Sequence, residues 1–303
     1  MNKSDRFKII CIVLAVVIGI FSLTPQGQWL TDTLTRGTKL VDFQNVCQDY
    51  PFSLHVLDVG KADAICIAVD GEYILIDGGT AANGKYVADY LERLGVRELA
   101  VVFNTHPDDD HIGGLATVLQ RFPCSLFCRS SVPADVMPDT QDVRAVQRIL
   151  SEQSVPTQFL KAGNVLVKGN LRIEILSPGK DFDSSNNSSL VLRLQYGSHR
   201  FLLMGDAERE VEEYLLQEVV DLSADVLKVG HHGSNTSTTE VFLHAVMPRF
   251  AVISTGEDNN HLPRIPVLNR LDICEELYRT DTDGTVIFCS DGEELDVYTK
   301  YNS

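Results

Sequence analysis

Positive charge is what this chain has least of. It carries 26 Lys and Arg against 42 Asp and Glu, for a formal net charge of −16 and a pI near 4.8. That balance excludes a broad basic face able to grip a polyanion, so any anionic substrate must meet its positive charge locally. Aromatic residues make up only 8% of the chain, with a single Trp. The cysteines are Cys11, Cys47, Cys66, Cys124, Cys128, Cys274 and Cys289, and no CxxC pair occurs among them, which removes a cysteine-based zinc framework. Cys66 and Cys289 stand in strand-like runs as core residues, while Cys124 and Cys128 could pair in an oxidising compartment. No internal sequence repeat is visible, and only one long apolar run exists, too little for a multi-span channel.

That run extends from Ile9 to Leu23 behind Lys3, Arg6 and Lys8. It has no polar face, which argues against a helix of a soluble core. Residues 1–28 are therefore expected to be a membrane anchor or a signal segment. The missing small-x-small cleavage site favours the anchor, and the leading basic residues put the remainder outside the cytoplasm, either membrane-anchored or secreted. Residues 29–51 read as a linker, and residues 52–303 as the globular part.

With 44% hydrophobic residues over its whole length, the chain can bury a large core. Alternating apolar positions predict strands at 52–60 and 61–69, an Asp70-Gly71 hairpin turn, and a third strand from Glu72 ending on Asp77-Gly78-Gly79. Helical spacing follows over 84–95 (Val87, Tyr90, Leu91, Leu94) and then a strand over 99–104. Further helices are expected at 141–153, 207–218, 238–246 and 266–278. Further strands are expected at 157–160, 165–167, 171–176, 189–195, 200–204, 225–229, 250–254, 285–289 and 295–298. Two strand-rich, helix-bearing halves in succession predict an α/β (α+β) fold, an αββα sandwich with helices outside two stacked sheets.

The most informative stretch is Thr105-His106-Pro107-Asp108-Asp109-Asp110-His111-Ile112-Gly113-Gly114. Two imidazoles and three carboxylates crowd into six residues after a buried strand, and such groups would repel or stay solvated unless a cation bound them. His106 and Asp108 can point the same way from an extended loop. Asp110 and His111 then open a helix carried by Ile112, Leu115, Val118 and Leu119, where Gly113-Gly114 permits close backbone approach. Asp-rich turns also serve as helix N-caps, and Asp110 alone would read that way. Two ligand pairs on two sides of one turn suit two divalent cations sharing a water.

His106-x-Asp108-x-Asp110-His111 resembles the H-x-H-x-D-H signature of the metallo-β-lactamase superfamily, with Asp108 in place of the second His. The variant is similar to the extracytoplasmic hydrolase domain of ComEC-like DNA-uptake proteins. Other segments agree in order: Asp58-Val-Gly-Lys61-Ala62-Asp63 resembles D-V-G-Q-G-D with Gln and Gly replaced. Asn186-Asn-Ser-Ser189-Leu-Val-Leu192 stands where lactamases place a third His, and Leu202-Leu-Met-Gly205-Asp206 ends on an acid. Ala224-Asp-Val-Leu-Lys228-Val-Gly230-His231-His232-Gly233-Ser234 resembles a K-V-x-H-H-G-S run, and Arg279-Thr-Asp281-Thr-Asp-Gly284 a structural turn.

The resemblance implies a binuclear metal-dependent hydrolase holding two divalent ions, Zn²⁺ or Mn²⁺. The implied metal ligands are His106, Asp108, Asp110, His111, a bridging Asp206 and one of His231 and His232, with His231 favoured. Asp110 and His231 carry the catalytic role. Asp77, Asn186, His232, Ser234 and His261 are expected to support ligands or touch substrate, and Ser234 reads equally well as a helix N-cap. The implied reaction is phosphodiester hydrolysis on extracellular nucleic acid, single-stranded DNA included. The alternatives are a small-substrate hydrolase of the same fold, cutting a lactone, amide or thioester, and a catalytically silent binding module.

Overall fold

The computed structural model of the chain describes residues 50–218, 221–256 and 261–300. The anchor or signal segment and nearly all of the linker lie outside them. Among the described residues no helix is long and apolar enough to cross a membrane.

The chain opens with strands β1 (Phe52–Val56), β2 (Ile65–Val69) and β3 (Glu72–Ile76), joined as antiparallel neighbours, with Asp70-Gly71 making the turn at positive φ in both residues. Helix α1 (Gly84–Arg93) buries Val87, Tyr90 and Leu91 on one face and returns the chain to β4 (Val101–Asn104), parallel to β3. Short helices α2 (Asp109–Ile112) and α3 (Leu115–Arg121), strand β5 (Phe127–Ser130), helix α4 (Gln141–Glu152) and edge strand β6 (Thr157–Leu160) complete this half. The second half comprises β7 (Val165–Lys168), β8 (Leu171–Ser177), β9 (Val191–Tyr196), β10 (His199–Leu203), α5 (Arg209–Gln217), β11 (Val226–Lys228), α6 (Glu240–Val246), β12 (Phe250–Ile253), α7 (Ile265–Leu271), β13 (Glu276–Arg279) and α8 (Thr280–Asp283). The chain then crosses back as β14 (Val286–Ser290) and β15 (Leu295–Tyr298), which extend the first sheet beside β1.

One sheet has the order β15-β14-β1-β2-β3-β4-β5-β6 and the other β13-β12-β11-β10-β9-β8-β7. Inward-facing residues of both, among them Phe52, Ile67, Phe103, Leu192, Phe201 and Phe288, form one core between the sheets. The outward faces are covered by α1, α3 and α4 on one side and by α5, α6 and α7 on the other. This is the expected αββα sandwich.

Two local expectations fail. The helix expected over 266–278 ends at Leu271, and residues 276–279 form β13, which pairs in parallel with β12 at the sheet edge. Tertiary pairing of Leu277 and Tyr278 there overrides the local helical spacing. Strand β5 has no counterpart among the expected elements, because its apolar run is only Phe127-Cys128 before Arg129. Cys124 and Cys128 are free thiols, and burial pushes the Cys128 thiol up to about 12.

Candidate metal centre

The centre forms where the ends of β3, β4, β10 and β11 meet, at the rim of the sandwich. Its first wall is tied together by close backbone approach. Gly78 N–H donates to His111 O at 2.8 Å, Gly114 N–H to Gly79 O at 2.9 Å, and Asp63 N–H to Asp110 O at 3.1 Å. A Cβ on Gly114 would stand 1.9 Å from Gly78 O, so no larger residue fits beside the strand end. The Gly113-Gly114 step thus works as expected, letting the metal loop fold down onto Asp77-Gly78. Asp108 holds the N-cap position of α2, yet its side chain makes no capping bond. Its Oδ2 faces His106 Nε2 at 3.8 Å instead.

Asp206 closes β10 from the other sheet and is the hub. Its Oδ1 lies 3.3 Å from His111 Nε2 and 3.5 Å from His232 Nε2. Its Oδ2 lies 4.0 Å from His106 Nε2 and 3.9 Å from His231 Nε2. Asp110 adds Oδ2 at 3.7 Å from His232 Nε2 and Oδ1 at 4.0 Å from His111 Nε2. The sequence favours His231 of the His pair; the geometry brings both rings to Asp206, on opposite oxygens. His232, fully buried, joins Asp110 and His111 as one donor group, whereas His231 is partly exposed on the other side.

The splay of adjacent histidines has a backbone cause. His231 (φ 47°, ψ 48°) and His232 (φ 51°, ψ 27°) both occupy the left-handed region, which non-glycine residues rarely adopt. The loop is pinned by His231 N–H to Gly205 O at 3.1 Å, Ser234 N–H to His231 O at 2.8 Å and Ser237 Oγ to Gly230 O at 2.8 Å.

Every Nδ1 in the cluster has a partner, which turns every Nε2 inward. His111 Nδ1 meets Asp77 Oδ2 at 2.8 Å and His232 Nδ1 meets Ser254 O at 2.9 Å. His231 Nδ1 meets Glu208 Oε1 at 3.0 Å. His106 Nδ1 lies 3.2 Å from Thr105 Oγ1 and 3.3 Å from Ser189 Oγ. An Nδ1–H engaged with an acceptor leaves Nε2 as a lone-pair donor, the tautomer a metal needs. Asp77, at φ 57°, also accepts from Asn104 Nδ2, Thr105 N–H and Thr105 Oγ1, so its carboxylate is fully engaged. Thr280 Oγ1, in the Arg279–Gly284 turn, accepts from Thr255 N–H and donates to Thr255 O, bracing the strand end that presents Ser254 O.

Four buried atoms of the cluster have no hydrogen-bond partner: Nε2 of His106, His111 and His232, and Oδ1 of Asp206. Such convergence is costly unless something joins them. Burial would raise the Asp206 carboxyl, but His232 and His111 hold it well below its usual range. Burial would lower His111, but Asp206 and Asp77 push it well above its usual value, while burial leaves His106 and His232 below theirs. A nitrogen and carboxylate set of this kind fits a divalent cation.

The remaining expected residues fall outside the donor cluster. Asn186 starts a short 3-10 turn whose main effect on the centre comes through Ser189, since Ser189 Oγ touches His106 Nδ1 and accepts from Asp206 N–H. Ser234 Oγ bonds Thr236, and the helix N-cap expected as its alternative falls to Thr239, which accepts from Phe242 N–H. His261 is exposed. Sequence reasoning missed Glu208, Ser254 O and the buried contact between Asp63 and Lys228, whose Oδ1 and Nζ are 3.0 Å apart. Asp63 closes the Asp58–Asp63 motif and Lys228 precedes the paired histidines, but nothing in the sequence signals that the two meet.

Residues 57–257 match the family model described as Metallo-beta-lactamase superfamily. The chain belongs to the metallo-β-lactamase superfamily. It is 31% identical over 261 residues to ComE operon protein 3 of Bacillus subtilis (strain 168), covering 79% of this chain and 33% of that protein. It is 29% identical over 291 residues to Competence protein ComA of Neisseria gonorrhoeae, covering 91% of this chain and 38% of that protein. The chain thus spans about a third of the length of these curated relatives. The metallo-β-lactamase fold protein YhfI of Bacillus subtilis shares the architecture with a TM-score of 0.51 at 12% identity, covering 78% of this chain and 98% of that one. A metallo-β-lactamase fold implies divalent metal ions, and the donor set of this superfamily member fits them.

Proposed function

We propose that this metallo-β-lactamase-fold protein is a binuclear metal-dependent phosphodiesterase that acts on single-stranded nucleic acid outside the cytoplasm. The observation that carries the reading is the convergence of donors on Asp206: His111 and His232 lie nearest its Oδ1 and His106 and His231 nearest its Oδ2, with Asp110 beside His111 and His232 and Asp108 beside His106. Each side offers two imidazoles and carboxylates, a harder set than an all-imidazole zinc site, so Mn²⁺ competes with Zn²⁺. When bound, a cation pair supplies Lewis-acid polarisation and brings the pKa of a water near neutrality. The chain's own part is to orient. Asp77, Ser254 O, Glu208 and Ser189 fix the imidazoles, and Asp110 would help orient the attacking water. Lys61 Nζ, 2.5 Å from Asp110 Oδ2, holds that carboxylate in place.

The competence relatives support nucleic acid as substrate. The overall acidity supports the second reading, a small neutral substrate such as a lactone, since single strands are usually held by basic grooves. Turnover by the full chain of single-stranded DNA, bis-p-nitrophenyl phosphate, a lactone and a β-lactam, each with Zn²⁺ or Mn²⁺, decides between them. Metal-dependent cleavage of both phosphodiesters, lost in Asp110→Ala, is expected. Rapid lactone or β-lactam turnover with neither phosphodiester cut would overturn the phosphodiesterase reading. The apolar run 9–23 and its leading basic residues support an anchored, extracytoplasmic placement, and a reporter active only outside the cytoplasm should work when fused after Ser303.

A further inference from the structure

A groove of about 410 Å³ lies between the end of β5, the loop after it, α4 and β6. At its floor is Arg129, only 9% exposed. Its Nε has no hydrogen-bond partner, Nη2 touches only Met137 Sδ at 3.4 Å, and no carboxylate pairs with it among the described residues. A guanidinium offers five N–H donors, and a weak thioether acceptor does not satisfy them. A nine-tenths buried cation without an anion is a costly arrangement that an incoming anion would relieve. Asp139 also lines the groove, but its carboxylate is engaged by Arg144 Nη1 at 2.6 Å.

The second feature is Phe159. It is Arg129's register partner on edge strand β6, 62% exposed, and its ring stacks against the guanidinium with Cζ 5.4 Å from the centroid. One face of the ring is held by the cation and the ring remains largely in solvent. The pair also adjoins the site. Asn104, the register partner of Arg129 on β4, donates to Asp77 Oδ1 and to His106 O, and Ser130 Oγ donates to Ser188 O, next to Ser189.

We propose that this groove is a subsite for single-stranded nucleic acid running from the metal centre, in which Arg129 receives a backbone phosphate and the open side of Phe159 stacks a base. The proposal rests on the phosphodiesterase reading above and names where the strand lies. It matches the recognition mode of single strands, a cation for the backbone beside an aromatic platform for the bases, in a chain with no broad basic face.

The test uses the full chain loaded with Zn²⁺ and two fluorescein-labelled, phosphorothioate-linked 12-mers, one oligo(dT) and one abasic. Binding is read by anisotropy, and stacking by quenching of an indole placed with Phe159→Trp, with wild type giving the Trp29 background. Arg129→Gln should weaken both oligomers about tenfold, and Phe159→Ala should weaken oligo(dT) roughly five- to tenfold while sparing the abasic strand. Oligo(dT) should quench the new indole and the abasic strand should not. Arg129 is buried, so zinc content is measured in each variant, and the exposed Phe159 supplies an arm independent of folding. Unchanged affinities in both variants at full zinc content, absence of quenching, or absence of any binding overturns the subsite. Phosphodiester cleavage that persists in that case leaves the phosphodiesterase reading standing, whereas strand binding with quenching but no cleavage removes that reading and keeps the subsite.

Discussion

The two sides of Asp206 offer similar donors but are supported differently. On the Oδ1 side, His111 and His232 are fully buried, and their Nδ1 atoms meet a buried carboxylate at 2.8 Å and a backbone carbonyl at 2.9 Å. On the Oδ2 side, His106 leans on two hydroxyls at 3.2 and 3.3 Å, His231 on a partly exposed Glu208, and the Asp108 side chain is 35% exposed. A carboxylate or carbonyl can only accept and so fixes the Nδ1–H, whereas a hydroxyl can donate or accept and a partly exposed carboxylate can turn away. Under the binuclear reading proposed above, the Oδ1 side would hold the more rigidly supported cation and the Oδ2 side the less rigidly supported one.

The largest effect should come from removing the hub. Asp206→Ala takes an oxygen from both sides, so bound metal, measured by elemental analysis after dialysis, should fall from about two ions per chain to none, in keeping with a two-metal site. Full metal retention would show that Asp206 is not shared. Next, single truncations of the paired histidines should separate the sides. His232→Ala and His231→Ala should each leave about one ion, but His232→Ala should release the tightly held one, visible as loss of the high-affinity phase in a zinc titration. Loss of the same phase from both variants would merge the two sides into one.

A smaller effect is expected one layer out. Asp77→Ala, which frees His111, should weaken the tight site roughly 10–100-fold, with Glu208→Ala near or below the lower end of that range at the weaker site. Equal losses would show that burial of the supporting group makes no difference.

Much of this centre is legible in the sequence because its donors are contiguous. His106, Asp108, Asp110 and His111 stand in one turn, and Asp206 and the His231-His232 pair each follow a buried strand. The pairing of Asp206 oxygens with particular imidazoles was not legible, since it depends on two consecutive left-handed residues at 231 and 232 that no composition signals. Nor was the support: Ser254 acts through a backbone carbonyl, which has no residue-type signature, and Glu208 is one acid among many. The fold class followed from strand and helix periodicity. The local failures fell where that signal is weakest, at the short β5 and at the edge strand β13, whose spacing mimics a helix.

The smallest effect, and the one that reads the two sides without substitution, is the pH dependence of stability. His111 is raised well above its usual 6.5: burial opposes its charge, but Asp206 and Asp77 outweigh burial. A group whose folded pKa is raised stabilises fully below its unfolded value and loses that contribution as pH rises through the folded one. His106 and His232 are lowered from 6.5, chiefly by burial, so their contribution is present above the unfolded value and is lost as pH falls through the folded one. Chelated protein should therefore be most stable near neutrality and lose stability on the alkaline side as His111 gives up its proton. A bound cation takes over the compensation of Asp206 and Asp77 that the proton supplies, so metal-loaded protein should keep its stability there and lose it more steeply on the acid side, where protons compete for the imidazoles. Each kcal/mol moves the melting temperature of a domain of this size by about 2–4 °C. Melting curves with and without chelator from pH 5 to pH 9 check this. An alkaline decline of equal size in both forms would remove the protonated His111 from the Oδ1 side and with it the asserted difference between the two sides.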